Sequence, residues 1–246
     1  MKTNLPSARP DPEHVDQSSL QRVAHSRLHP ALTDPSYLVL RSRRAIFSRW
    51  IGNLGREDLT VLDVGGRYQP YRPLFGKTLA HYVAVDVMKT ELVSVVADGH
   101  ALPFAAESFD VVIATQVMDY FREPADAVKQ IHAVLKPGGV FLASVAACAP
   151  IFAEGEYWRF TRPGLRTLLN SFAQVEIVPE LYSAGSVVRT LNLAMDSFVH
   201  YSSARWLYRR TICPLVNLFG LGIEKLKLTS NDQFTANYSV LARKAG

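Results

Sequence analysis

The sequence predicts an α/β fold: a mostly parallel sheet with helices on both faces. Three observations predict it. Short apolar runs rich in Val, Ile and Leu recur along the chain, helix-length segments separate them, and three of the runs end in an acid close to glycine or to a turn. Apolar runs without polar alternation suit strands covered on both faces. Their alternation with helices implies right-handed crossovers between parallel neighbours.

Residues 1–33 are polar and broken by Pro6, Pro10, Pro12 and Pro30, which predicts a flexible or loosely docked arm whose His14, His25 and His29 are solvated. The main domain is expected over 34–246. Asp34-Pro35 reads as an N-cap followed by proline in the first turn, and Tyr37, Leu40, Arg44, Phe47 and Ile51 follow at helical spacing, so a helix is expected over 35–54.

The first strand, Thr60-Val61-Leu62-Asp63-Val64, runs into Gly65-Gly66-Arg67. Two glycines let the backbone turn sharply and admit a ligand at the carboxyl end of the strand, where open α/β sheets bind their ligands. A second strand over 81–87 ends at Asp86. It lies about twenty residues beyond the glycines, the interval at which nucleotide-binding units place a carboxylate on ribose hydroxyls. A third strand over 92–97 runs into Asp98-Gly99, so three acids come to one rim. A fourth strand is expected over 110–115, a helix over 124–135, a turn at Lys136-Pro137-Gly138-Gly139 and a fifth strand over 140–145.

Beyond it, Glu154 to Thr161 is a polar-aromatic loop, with Thr161 capping a helix that reaches about Phe172. A sixth strand is expected over 174–178. The helical insert over 183–230 shows Val187, Leu191, Ala194 and Phe198 at helical spacing, then a second helix over 204–228 broken near Pro214. Residues 234–243 alternate like a closing strand.

Bulk properties narrow the partners. The chain has 246 residues, 48% of them hydrophobic and 20% charged, which suits a chain with a sizeable buried core. A net charge of +5 without a concentrated basic stripe makes nucleic acid an unlikely partner. Cys148 and Cys213 are far apart, so no metal site is expected. No apolar run follows Met1-Lys2, so no export leader is expected and the chain reads as cytoplasmic. The insert mixes Trp206, Tyr208, Leu215, Leu218, Phe219, Leu221 and Ile223 with Arg205, Arg209, Arg210, Lys225 and Lys227. Helices packed on the sheet, a lid, a homodimer surface and peripheral membrane contact through 204–228 all suit that mixture.

Two cofactors suit an acidic rim: a dinucleotide or S-adenosylmethionine. Arg67 and Pro70 stand where a dinucleotide fingerprint needs glycines, and a sulfonium is drawn to carboxylates, which favours the second. The stretches VLDVGGRYQPY, YVAVDV, VVADGHALPFAAESFDVVIATQVMDYF and LKPGGVFLASV, in that order, resemble the class I S-adenosylmethionine-dependent methyltransferases, in particular the methyltransferase type 11 family.

The resemblance covers about 60–178 and implies a Rossmann-like, seven-stranded sheet whose last strand is antiparallel and inserted beside the fifth and sixth. It implies that Asp63, Gly65, Gly66 and Arg67 shape the methionine end of the pocket and that Asp86 takes the ribose hydroxyls. Val87 would pack on adenine, Asp98 and Gly99 would meet its amino edge, and Gln116 and Val117 would close the pocket. The family has glycine where Arg67 stands and often Glu-His where this chain has Asp119-Tyr120. Methyl transfer needs alignment of nucleophile and methyl group, plus a base for a protonated acceptor. Asp119, Tyr120, Glu156 and Tyr157 are the candidates, with Trp158 and Arg159 beside them. His100 reads as a pocket-wall residue. The expected enzyme is a methyltransferase acting on a small-molecule or lipid-like acceptor. The alternatives are a non-catalytic protein using the same crevice and a dehydrogenase.

Overall fold

The computed structural model describes residues 16–151, 153–199, 201–226 and 231–246. The segment 1–15 with His14, and residues 227–230 with Lys227, lie outside the described residues.

Seven strands form one sheet: β1 Leu59–Val64, β2 Leu79–Asp86, β3 Val95–Val96, β4 Phe109–Thr115, β5 Leu135–Ala146, β6 Gln174–Pro179 and β7 Asn237–Arg243. Their order is β3-β2-β1-β4-β5-β7-β6. β7 runs antiparallel to β5 and β6, while the pairs β1–β2, β1–β4, β2–β3 and β4–β5 are parallel. This is the expected seven-stranded arrangement with its last strand inserted. Because β1 lies centrally with β2 on one side and β4 on the other, strand order reverses there and opens a crevice at its carboxyl end.

Strand periodicity distributes the core. Leu62 and Val64, Val112 and Ala114, and Phe141 and Ala143 point to one face, where α3 (Pro124–Val134) and α4 (Arg162–Leu168) supply Ala127, Val128, Ile131 and Leu165. Leu59 and Val61, Val111 and Ile113, and Val140 and Leu142 point to the other, against Ile46, Phe47, Trp50 and Ile51 of α2 (Tyr37–Gly52).

Several boundaries depart from expectation for physical reasons. α2 starts two residues late because the Asp34 carboxylate accepts the Ser36 N–H at 2.7 Å, making a turn rather than the first helical residue. Its buried face carries Arg43, not Arg44, which is exposed. The Gly138-Gly139 turn lies inside β5: Phe109 pairs with Leu135 and Val111 with Val140, so the extra residues form a bulge with Gly138 at φ +69°. The arm expected over 1–33 contains α1 (Gln17–Leu28), capped by Asp16 and docked through buried Leu20 and Leu28. His25 and His29 are exposed, with ring centroids 4.8 Å apart.

The insert folds as α5 (Ser183–Phe198) and α6 (Ser202–Leu226), and α6 continues through Pro214 where a break was expected. Buried Asn217 donates to the Leu32 and Asp34 carbonyls at 2.8 and 2.9 Å, fastening α6 to the segment before α2. α5 departs from the usual amphipathic pattern. Ser186, Arg189, Asn192 and Asp196 face inward beside Val188 and Leu193, whereas Val187, Leu191, Met195 and Phe198 are exposed.

Candidate active site

The carboxyl ends of β1, β2 and β4 open into a cavity of about 920 Å³. The turn after β1 forms its floor. Gly65 adopts φ +77°, and a Cβ there would stand 2.7 Å from Val117, so both the conformation and the close approach require glycine. Gly65 and Gly66 donate their N–H groups to the same acceptor, the Val85 carbonyl, at 2.8 and 3.1 Å. Those amides are committed within the protein, so the turn does not offer the free amide nest that a pyrophosphate uses.

Asp86 ends β2 and is 5% exposed. One of its oxygens accepts the Met88 N–H at 2.9 Å, and the other stands 3.4 Å from Arg67 Nε. Arg67 also donates to the Met88 sulfur at 2.8 Å, so the residue that departs from the family pattern braces the acid. Asp98 accepts both the His100 N–H at 3.0 Å and its Nδ1 at 2.6 Å through one oxygen. His100 Nε2 accepts the Glu123 N–H at 3.3 Å, which places the ring proton on Nδ1. Those backbone and side-chain bonds hold the Asp98 carboxyl below its ordinary range, against the opposing effect of burial.

Gly99 packs so tightly that a Cβ would meet Phe121 at 2.6 Å. Gln116, directly after β4, adopts φ +54°, a strained conformation for a non-glycine residue of the kind that collects at functional sites. Its N–H donates to the Ser144 carbonyl at 2.8 Å and its Nε2 to Ser144 Oγ at 3.1 Å, holding it against the cavity.

Of the expected residues, Gly65, Arg67, Asp86, Val87, Asp98, Gly99, Gln116, Val117, Asp119, Tyr120, Glu156 and Tyr157 line the cavity, and His100 forms part of its wall. Asp63 and Gly66 do not. Asp63 is 3% exposed and accepts the Tyr82 hydroxyl at 2.6 Å on the α2 side of β1, behind the glycine turn. A Cβ at Gly66 would collide with Asp63, so Gly66 permits that packing instead of touching a ligand.

Burial pushes the Asp63 carboxyl up to about 7; the Tyr82 hydroxyl opposes the shift and Asp86 adds to it. The folded state thus keeps a proton that the unfolded chain loses near pH 4. This contribution to stability is present in full below about pH 4 and is lost as the pH rises towards 7. Asp63→Asn is expected to raise the unfolding temperature at pH 8 and leave it nearly unchanged at pH 4. Equal shifts at both pH values in thermal unfolding would contradict the assignment.

The acceptor side is built by the segment 118–123 and the loop before α4. Tyr157 and Trp158 donate backbone N–H groups to the Asp119 carbonyl at 2.7 and 3.3 Å, and Trp158 Nε1 donates to the Phe121 carbonyl at 2.8 Å. Trp158 and Arg159 therefore tie the loop down and do not line the cavity. Glu156 is held 2.5 Å from Arg159 and accepts the Tyr120 hydroxyl at 3.0 Å.

Asp119 is 4% exposed, and burial pushes its carboxyl up to about 7. Glu156 adds to that shift, while the Ala146 N–H, Arg159 and Arg43 oppose it. The sequence reading missed Arg27, Asp34, Arg43, Tyr71 and Arg189, which complete the wall. Asp34 stood out only as a helix cap, and an arginine within an apolar helical stretch gives no sign of which way it faces.

A mixed seven-stranded sheet of this order, with acids and glycine at consecutive strand ends around one crevice, defines a class I methyltransferase architecture. Residues 62–143 are similar to the family model described as a methyltransferase domain, a match that covers a third of this chain. The human mitochondrial arginine-hydroxylase NDUFAF5 is 32% identical over 96 residues, covering 35% of this chain and 28% of that protein. The chain thus spans less than a third of that relative's length. Among solved structures, Haemonchus contortus phosphoethanolamine N-methyltransferase 2, in complex with S-adenosyl-L-methionine, shares the fold with a TM-score of 0.54 and 14% identity, over 93% of this chain and 57% of that one. Burkholderia thailandensis 1,6-didemethyltoxoflavin-N1-methyltransferase, with bound 1,6-didemethyltoxoflavin and S-adenosylhomocysteine, does so with a TM-score of 0.51 and 18% identity, over 92% and 85%.

Proposed function

We propose that this chain transfers a methyl group from S-adenosylmethionine to a small-molecule or lipid-like acceptor. The observation that carries the reading is the cavity wall itself. Asp86, Asp98 with Gly99, and Gln116 stand at the ends of successive strand units around a space of about 920 Å³, while the glycine-turn amides are already committed to Val85. That wall suits a nucleoside carrying a sulfonium and offers little to a pyrophosphate.

S-adenosylmethionine, when bound, supplies a methyl group already activated for displacement. Asp86 would accept the ribose hydroxyls, Val87 and Gly99 would flank the adenine, and Asp98 would meet its amino edge. Gly65, Gln116 and Val117 would shape the methionine end. Asp119 would take the acceptor's proton, since a carboxyl with a value near 7 is poised to act as a base at neutral pH. Glu156, occupied by Arg159 and Tyr120, would position Tyr120 and the loop.

Asp119→Asn is expected to lower turnover about 10²-fold or more while cofactor affinity stays within about threefold, and wild-type turnover should rise with pH between about 6 and 8. Parallel losses of turnover and S-adenosylhomocysteine affinity would make Asp119 structural.

The exposed apolar residues of α5 favour the lipid-like branch. Phe198 is 79% exposed, and on α6 Trp206, Leu215, Leu218 and Phe219 are exposed beside Arg205, Arg209, Arg210 and Lys225. The two helices carry five cations and two acids, Asp196 and Glu224. Among the described residues no helix is long and apolar enough to cross a membrane. An apolar face with a basic border suits the surface of an anionic bilayer. The protein is expected to co-sediment with phosphatidylglycerol vesicles, less so in high salt, and Leu215→Asp/Phe219→Asp should abolish this. Absence of vesicle binding with a concentration-dependent dimer in light scattering would assign the face to a second copy of the chain.

A further inference from the structure

Arg189 has an environment that the cofactor reading does not use. It lies on α5, faces the cavity, and is 4% exposed. Its Nε and Nη1 are buried without a hydrogen-bond partner, and among the described residues it forms no ion pair. Buried guanidinium groups are ordinarily paired, because an uncompensated charge in a low-dielectric site costs several kcal/mol.

The nearby acids are engaged elsewhere. Glu180 forks onto Arg43 at 2.8 and 2.9 Å, and Asp34 Oδ1 accepts the Ser36 N–H. Arg43 stands on the same wall and takes up the Glu180 carboxylate, so that acid is not left to pair with Arg189. Burial, followed by the repulsion of Arg43, pulls the Arg189 guanidinium down to about 10, the response of a cation that lacks an anion.

We infer that Arg189 is the receptor for an oxyanion, and that the acceptor molecule carries a carboxylate or phosphate group that enters this side of the cavity. The inference rests on the methyltransferase reading and extends it by giving the substrate class: a molecule with one anionic end and a methylatable atom held towards Asp119. A planar guanidinium takes carboxylate or phosphate oxygens through several N–H groups at once, which lysine does not match. The anion would remove the desolvation penalty that Arg189 now bears, so affinity and orientation of the acceptor would come from one contact.

The test is a protein-observed NMR titration of wild type, Arg189→Met and Arg189→Lys with malonate and with inorganic phosphate, each with and without S-adenosylhomocysteine. Wild type is expected to show saturable binding of at least one of the two, with shifts centred on α2 and α5. Arg189→Met should weaken it by at least about tenfold and Arg189→Lys by less, both retaining S-adenosylhomocysteine affinity. Malonate alone would assign a carboxylate and phosphate alone a phosphoryl group. If Arg189→Met does not fold, Arg189→Lys against wild type decides.

The inference fails if neither probe saturates on wild type, or if affinity is unchanged in the variants that fold. Absence of S-adenosylhomocysteine binding to wild type would instead count against the cofactor reading and leave the oxyanion result to stand on the unliganded titrations.

Discussion

Replacing Glu180 by alanine is expected to destabilise the protein by about 3–5 kcal/mol, the effect of leaving a buried charge without its partner. Arg43 and Glu180 are 4% and 2% exposed, and Glu180 also accepts the hydroxyls of Ser144 at 2.5 Å and Ser239 at 2.9 Å. Burial acts to lower the Arg43 value, and the adjacent Glu180 carboxylate more than reverses it, holding the guanidinium above its ordinary range. One carboxylate thus joins α2, β5 and β7 at the back of the cavity.

Ser144 continues the network to Gln116, so the loss should also disturb the strained residue in the wall. Denaturant unfolding would show the drop. Arg43→Met/Glu180→Leu is expected to recover much of it, since an apolar pair of similar volume removes both desolvation terms. A loss below about 1 kcal/mol in Glu180→Ala would mean that the pair is solvated and that the network does not brace the site.

Asp86→Ala is expected to weaken S-adenosylmethionine binding by a factor on the order of 30 or more. Hydrogen bonds to a charged acceptor contribute about 1.5–3 kcal/mol each, and the ribose would make two. The competing role is local: Asp86 closes its own turn at Met88 and holds Arg67 at 3.4 Å. If that were its whole purpose, the variant would lose some stability and bind the nucleoside as before. Calorimetry on protein shown to be folded by circular dichroism separates the two. Unchanged affinity would remove the ribose assignment.

Where strand ends make the cavity wall, the chain was legible. Asp86, Asp98 and the Gly65 turn announce themselves because an acid or glycine ending an apolar run has few structural reasons to be there. The antiparallel insertion of β7 came from family resemblance, since periodicity in residues 234–243 shows a strand and says nothing of its neighbour. Asp63 shows the limit: adjacent to the glycines in sequence, it points to the opposite face of β1 because side chains alternate, and its partner is Tyr82.

Arg43 and Arg189 were invisible for a related reason. A basic residue on a helix is ordinarily solvated, and only a partner 137 residues away, or the lack of any partner, reveals a buried one. The arm's composition left a mobile and a loosely docked segment both open; Leu20 and Leu28 at helical spacing dock α1 beside the cavity mouth, where Arg27 lies 4.5 Å over the Tyr68 ring. The apolar stripe of α5 was legible as periodicity, which does not say which face is buried, and here Val187, Leu191 and Phe198 are exposed while Ser186, Arg189, Asn192 and Asp196 are buried beside Val188 and Leu193.

The most direct test is calorimetric titration of the purified protein with S-adenosylmethionine, S-adenosylhomocysteine and a nicotinamide dinucleotide in parallel. Micromolar binding of the first two and none of the third is expected. Silence from all three, or preference for the dinucleotide, would contradict it: the first would leave a crevice serving a non-catalytic partner, and the second would make the acidic rim a redox cofactor site.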